Sequence, residues 1–324
     1  MLKMMKKAIK GMLPYEYRML HLLNKQMQLQ RKNSAMDEGE LHDRLIAWFK
    51  DETGEGLCLD NPVTFNQKTQ WLKLNDSTPL KGRLADKYLV REYISEAIGE
   101  RHLVPLLGVY EAAEEVDFDA LPGRFVLKAT HGSGWNLIVK DKAKLNKRIA
   151  QKIMRKWLKL DFSLMNGFEL HYRYCEPRIV AEEYLDDIAS GSVDDYKAYC
   201  FNGGDPIICV CRNRFSRNGI ETAYYNRNWD KLDIRDAGHE SIDCDRPPHL
   251  EEMVRLSERL AEGFPFVRVD WYESSRGLLF GELTFTSSSG TEDLEPPEWN
   301  VELGNRIDLS RISQHAENCS DGER

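Results

Sequence analysis

No stretch of this sequence stays apolar for the roughly 20 residues a bilayer-spanning helix needs, so no such helix is expected. Its seven cysteines (Cys58, Cys175, Cys200, Cys209, Cys211, Cys244 and Cys319) form no CxxC pair and have no matched histidine spacing. That argues against a disulfide framework and against a zinc site, and they read as cytosolic thiols. Cys209 and Cys211, two apart in PIICVC, fall on one strand face as small buried residues rather than ligands. Internal repeats and low-complexity tracts are missing. A secretory leader is not expected either, because Lys3, Lys6, Lys7 and Lys10 interrupt any apolar core near the N-terminus.

What is present is an ordinary globular composition, 324 residues with 41% apolar and 30% charged, long enough for two or three packed units. The net charge of −8 is unevenly spread. Residues 1–32 hold eight lysines and arginines against Glu16 alone, a net of +7, which leaves −15 for the remainder. An acidic body argues against nucleic acid as a partner. The basic segment, rich in Leu and Met, suits either a helix lying on an anionic membrane surface or one packed on its own domain with its lysines in water.

Along the chain, LHDRLIAWF is a short helix candidate in a segment ending near Asn61-Pro62, and TFNQKTQWLKLND gives a second, amphipathic one. Lys81–Ile98 reads as one helix stopped by Gly99. FVLKA and WNLIVK then flank the loop His131-Gly132-Ser133-Gly134 as strand, loop, strand. A P-loop would need a helix and a GK[ST] ending there. Residues 143–160 are helical again, PRIVAEEYL is a buried strand, and DDYKAYCFNG and DPIICVCRNRF are paired strands joined at Asn202-Gly203-Gly204 after a loop around Ser190-Gly191. Residues 216–248 read as a polar loop, followed by the helix LEEMVRLSERLAEGF and, after Gly304, a loose polar tail.

The most informative segment is FPFVRVDWYESSRGLLFGELTFTSSSG, residues 264–290. Alternation groups Arg268 with Asp270 on the first strand and Phe280, Glu282, Thr284 and Thr286 on the second. A hairpin turning near Arg276 sets Asp270 opposite Glu282 and Arg268 opposite Thr284. Two facing carboxylates weaken a sheet unless a cation sits between them, and an all-oxygen set suits Mg²⁺ shared with nucleotide phosphates. Solvated acids on a surface hairpin give the same pattern, and a one-residue slip would separate the pairs.

Taken in order, ADKYLVREYI, FVLKATHGSGWN, IVAEEYL, DYKAYCFNG and FVRVDWY…FGELTFT resemble the ATP-grasp superfamily, and among its branches the TupA-like one of teichuronopeptide biosynthesis. The resemblance runs from about Phe65 to Gly290 and implies an α+β ATP-grasp fold, two α+β subdomains clasping ATP behind an N-terminal helical, pre-grasp segment. The division it implies is 1–80 for that segment, 81–180 for the central subdomain with the phosphate-covering loop, 181–304 for the C-terminal subdomain with the metal site, and 305–324 for the tail.

It also implies roles. Lys128 and Lys87 meet the phosphates, with His131, Gly132, Ser133 and Gly134 as a lid over them. Glu182, Glu183, Tyr184 and Leu185 receive adenine, Asp195 the ribose, and Lys197 reaches phosphate or makes a cross-strand ion pair. Asp270, Glu282 and Thr284 hold Mg²⁺, and Arg268 steadies the transferred phosphoryl group. Thr284 departs from the asparagine usual there, and Ser287-Ser288-Ser289-Gly290 from a loop that often carries proline. The implied reaction is carboxylate plus MgATP giving an acyl phosphate that an amine converts to an amide, with catalysis resting on Lys128 and Arg268 and no evident base among His131, His171 and His239. The implied partners are a small-molecule amine donor and a sugar acid or glycan of the cell surface, in the cytoplasm, with residues 1–32 at the inner membrane face. A glycan kinase on the same scaffold and a non-catalytic assembly protein are the alternatives; the sequence leaves oligomeric state open.

Overall fold

A computed structural model describes residues 15–165, 167–185, 194–212 and 220–312. The loop around Ser190-Gly191, the first fourteen residues of the basic segment and the tail beyond Ile312 lie outside the described residues.

The chain begins with helices α1 (Tyr15–Asn33), α2 (Glu38–Thr53), α3 (Phe65–Asn75), α4 (Pro79–Ala85) and α5 (Val90–Ile98). Asp37 and Thr64 cap α2 and α3 with full capping boxes. Gly54, at φ +75°, ends α2 well short of Asn61-Pro62. The single helix expected over Lys81–Ile98 is broken: Asp86 Oδ1 accepts from the backbone N–H of Tyr88 and Leu89 at 2.8 and 2.9 Å, which starts a new helix and leaves Lys87 in the break.

The first sheet holds β1 (Leu106–Tyr110), β2 (Phe125–Ala129), β3 (Asn136–Val139) and β4 (Ile179–Glu183), antiparallel in the order β1-β4-β2-β3. Phe125, Leu127 and Ala129 point into a core closed by α6 (Lys147–Trp157) and by Met19 and Leu23 of α1. The N-terminal helix is thus packed on its own domain. The other face of β2 and β4 carries Lys128, Val180 and Glu182.

The second sheet is formed by β5 (Asp195–Phe201), β6 (Ile207–Arg212), β7 (Glu221–Tyr225), β9 (Glu240–Ser241), β10 (Phe266–Ser274) and β11 (Gly277–Thr284), in the order β11-β10-β5-β6-β7-β9. A two-residue strand β8 (Arg235–Asp236) pairs separately with β12 (Leu294–Glu295). One face packs Ala198, Val210, Val267, Val269 and Trp271 under α7 (Leu250–Leu260) and α5. The opposite face divides. Tyr199, Phe201, Ile207 and Phe266 are covered by α3 and α8 (Glu298–Asn305), while the polar residues beyond them stay open to the first sheet.

Two expectations from the sequence do not hold in the fold. The region expected as a polar loop over 216–248, described from Ile220 onward, contains the strand β7 with Thr222–Tyr225 buried and the two-residue strands β8 and β9, so it is not loop throughout. The residues just after Gly304 are anchored, with Ile307 1% exposed. Residues 80 and 81 lie within α4 and residues 180 and 181 within β4, and the first sheet ends at Glu183.

Candidate nucleotide and metal site

The β10–β11 hairpin has the register that puts Asp270 opposite Glu282 and Arg268 opposite Thr284, turning at Ser275-Arg276. Past Asp270 the register shifts, and Trp271 pairs with Phe280, leaving Gly281 as a bulge. Phe280 therefore belongs to the apolar core with Trp271, not to the face of Glu282 as strict alternation suggests. Glycine eases the bulge: a Cβ at 281 would lie 3.1 Å from both the Asp270 carbonyl oxygen and the Tyr272 ring.

On the other side of β10, Lys197 stands opposite Asp270. Arg268 grips Asp270 with two hydrogen bonds of 2.7 and 2.8 Å, and the Lys197 ammonium reaches Asp270 at 3.1 Å and Asp195 at 2.6 Å. Arg268 also donates to Thr284 Oγ1 at 3.2 Å and to Glu282 at 3.4 Å, and Thr284 donates to Glu282 at 3.1 Å. Asp195, Lys197, Arg268, Asp270, Glu282 and Thr284 thus form one network. Burial works against ionising Asp270, yet Arg268 and then Lys197 outweigh it and hold the carboxyl at about 2. Burial alone would lower Lys197, but Asp270 and Asp195 raise it above its ordinary value. Buried ion pairs of this kind add little stability over well-packed apolar residues. Charges gathered on a sheet whose opposite face is Val and Trp therefore point to chemistry rather than to folding.

The first sheet closes on this network. Lys128 pairs with Glu182 at 2.5 Å; burial opposes its charge, but Glu182, Tyr272 and Glu282 hold its ammonium above the ordinary value. Arg276 at the hairpin turn holds Glu183 through two bonds of 2.6 and 2.9 Å, tying the hairpin to β4. The Glu183 N–H donates to the Pro105 carbonyl at 3.0 Å, Tyr184 lies under the Arg124 guanidinium at 5.2 Å, and Leu185 is buried.

The loop between β2 and β3 is anchored at one end and open at the other. His131 is 2% exposed, its Nε2 2.9 Å from the Trp157 carbonyl, and burial lowers its pKa. Gly132 lies so close to Trp135 and Phe162 that a Cβ would come within 2.9 Å of each ring, and its carbonyl accepts from Lys87 at 2.7 Å. Ser133 and Gly134 are exposed, Gly134 at φ +71°. Of this loop, Ser133 lines the cavity shared with Lys197, Arg268, Glu282 and Thr284, whereas the His131 imidazole is turned into the core.

Two facing carboxylates and a hydroxyl make a hard, all-oxygen donor set of the type Mg²⁺ takes, with its remaining positions left to phosphate and water. Among the described residues no group of three His, Cys, Asp or Glu could hold a metal ion. Asp270, Glu282 and Thr284 fit the ion, and Lys197 and Arg268 are the cations it would share Asp270 with.

The profile of the TupA-like ATP-grasp family matches residues 67–308, about three quarters of the sequence, and spans every candidate site residue from Lys87 to Thr284. The chain belongs to that family. Among solved structures, this TupA-like ATP-grasp protein resembles D-alanine–D-alanine ligase from Helicobacter pylori, at 13% identity over 71% of this chain and 60% of that one with a TM-score of 0.36. The Bacillus anthracis D-alanine–D-alanine ligase matches at 13% identity over 78% and 71%, with a TM-score of 0.39. The ATP-grasp ligase PsnB complexed with minimal precursor, Mg and ADP matches at 13% identity over 76% and 65%, with a TM-score of 0.38. The chain thus spans about two thirds of the length of these structures. No curated protein matches it.

Residues that sequence reasoning missed surround the same cavity. Glu169 accepts from Ser289 Oγ at 2.8 Å and from Thr286, and Glu292 accepts from Ser287 Oγ at 2.6 Å and Tyr199 OH at 3.0 Å. Lys73, 1% exposed, donates to the carbonyls of Ser289 and Gly167, both at 2.5 Å; burial lowers its pKa to about 7. It supports a turn in which Ser288, Ser289 and Gly290 are all left-handed, at φ 47°, 53° and 68°. Neither a periodicity nor a motif marks Glu169 or Glu292. The run of three serines before Gly290 was the one available signal.

Proposed function

We propose that this protein is an ATP-dependent carboxylate–amine ligase that forms an amide through an acyl phosphate. The observation that carries this reading is the convergence, between two sheets, of Lys128, Lys197 and Arg268 with the facing carboxylates Asp270 and Glu282. Phosphoryl transfer asks a protein mainly for alignment and for positive charge around the equatorial oxygens, and these residues supply both. Lys128 and Lys87 hold phosphate, Ser133 and Gly134 cover it, and the segment from Glu182 to Leu185 with Asp195 takes the nucleoside. Mg²⁺ held by Asp270, Glu282 and Thr284 neutralises phosphate charge. Arg268, already aligned by Asp270 and Ser287, steadies the transferred group.

By the analogy of its family, the acid is a sugar acid of a cell-surface polysaccharide or its precursor, and the amine an amino acid. The helix α1 supports work near a membrane: Tyr17 and Leu22 are exposed beside Arg18 and Lys25, while Met19 and Leu23 anchor it inward. Among the described residues no helix is long and apolar enough to cross a membrane, so contact would be peripheral.

Calorimetric titration of ATP with and without Mg²⁺, in wild type, Asp270→Asn and Glu282→Gln, tests the site. Metal-dependent binding weakened by both substitutions is expected. Product analysis tests the reaction: inorganic phosphate with an amide supports the ligase, a phosphoester means a kinase, and no nucleotide binding in wild type means a non-catalytic assembly protein.

A further inference from the structure

The face that carries Lys197 does not end at the ATP residues. Lys197 stands opposite Cys209, Cys209 opposite Tyr224, and Cys211 opposite Thr222, so one continuous sheet face runs from β11 to β7. Above it a cavity of about 310 Å³ extends from Glu282 and Arg268 past Glu292 to Thr222, Tyr224, Asp236 and His239. Three features of its far half are unexplained by nucleotide or metal.

The first is charge. Glu169, Asp236 and Glu292 line the cavity, and the only lysine and arginine among the described lining residues, Lys197 and Arg268, are already engaged by Asp195 and Asp270. The second is Thr222, which is 1% exposed with its Oγ1 buried and lacking a hydrogen-bond partner among the described residues, although it forms part of the cavity wall. A buried hydroxyl left unpaired costs about 1–3 kcal/mol, a cost that a bound donor relieves. The third is how the carboxylates are held. Tyr224 OH donates to Asp236 at 2.9 Å, and Tyr199 and Ser287 donate to Glu292, so hydroxyls orient both carboxylates, while His239 Nδ1 lies 3.4 Å from the other Asp236 oxygen. Ser287 in turn accepts from Arg268 at 2.8 Å, which joins this half of the cavity to the phosphoryl-steadying arginine.

We propose that this half of the cavity is the pocket for the amine substrate, holding a primary ammonium between Asp236, Glu292 and the Thr222 hydroxyl. An ammonium offers three donors and no acceptor, which matches two carboxylates and a hydroxyl. The carboxylate of an amino acid held this way, like that of a sugar acid, suits the cationic end at Lys197 and Arg268. This inference rests on the ligase reading for its place in the reaction, but the site itself binds without ATP.

Saturation-transfer NMR on the full chain, with glycinamide and L-alaninamide as probes and the hydroxy counterparts glycolamide and lactamide as controls, tests it. Transfer to the amines and not to the hydroxy amides is expected, weakened about tenfold in Asp236→Asn and in Glu292→Gln and reduced in Thr222→Val. Unchanged thermal melting and Mg²⁺-dependent ATP binding show that each variant is folded; if Glu292→Gln is not, Asp236→Asn on its short strand decides. Equal transfer from amines and hydroxy amides, full transfer in the variants, or no transfer at all overturns the proposal. Loss of amine binding with ATP binding intact in wild type would sink the pocket and spare the ligase. Amine binding without any ATP binding would do the reverse.

Discussion

Asp270 stands between two partners on one sheet face: Glu282 opposite it on β11 and Lys197 opposite it on β5, with Arg268 clamped to both of its oxygens. The strand pairing alone brings a carboxylate pair and two cations into one network, without help from a loop.

Asp270→Asn removes the negative centre of this network and leaves Arg268 and Lys197 facing each other. Loss of about 3 kcal/mol of stability is expected, the usual cost of an uncompensated buried charge. Metal-dependent ATP binding falls with it. Urea denaturation and calorimetry on the same sample check both.

Acid should act through the same carboxyl. Its folded pKa of about 2 lies below its unfolded value near 3.8, so its contribution is complete above pH 4 and is lost as pH falls toward 2. His171 acts earlier. Burial, with Lys81 and Lys73 nearby, lowers its pKa to about 3. The unfolded chain binds a proton there from about pH 6.5 downward and the folded one does not, so stability drops by about 1.4 kcal/mol per pH unit below 6.5. His171→Gln is expected to flatten this slope in denaturation curves taken between pH 6.5 and 4.

Lys73 has the same sign in an alkaline window. Its folded pKa of about 7 lies below the unfolded value near 10.5, so wild type should gain stability relative to Lys73→Met as pH rises from 7 toward 10. At pH 7 the variant also takes the Lys73 donor from the Gly167 and Ser289 carbonyls, leaving Ser289 to Gln70 at 3.0 Å. Parallel denaturation series of the two proteins measure the difference directly.

Thr284→Asn restores an amide carbonyl, a stronger metal ligand than a hydroxyl. Magnesium-dependent ATP affinity should rise about threefold, and fall by a similar factor in Thr284→Val. Calorimetry at fixed Mg²⁺ reads both, and an unchanged affinity in the two variants would remove Thr284 from the metal site.

Gly281→Ala places a Cβ 3.1 Å from the Asp270 carbonyl and the Tyr272 ring. The Asp270 backbone and the Tyr272 ring must give by a few tenths of an ångström, at a cost of about 1–3 kcal/mol. A thermal melt equal to wild type would mean the bulge is not fixed by this contact.

Much of this architecture was written locally. The alternation in FVRVDW and GELT decides which side chains share a face, and the short turn at Ser275-Arg276 decides the register, so the Asp270–Glu282 pairing is legible in the sequence itself. The order of the strands FVLKA, IVAEE, DYKAYCF and IICVC is legible for the same reason. The bulge is not, because one extra residue leaves the composition of a strand unchanged while it moves Phe280 to the other face. Asp86 breaks a helix that periodicity joins, since a side chain capturing two backbone N–H groups competes with the ladder without altering the apolar pattern. Tertiary structure alone decided the rest. It buried the His131 ring against Trp157, and it brought Glu169, Thr222, Asp236 and Glu292 around one cavity. Those four come from a turn, a short strand, a two-residue strand and a loop, and nothing local in a sequence records a distance between segments that far apart.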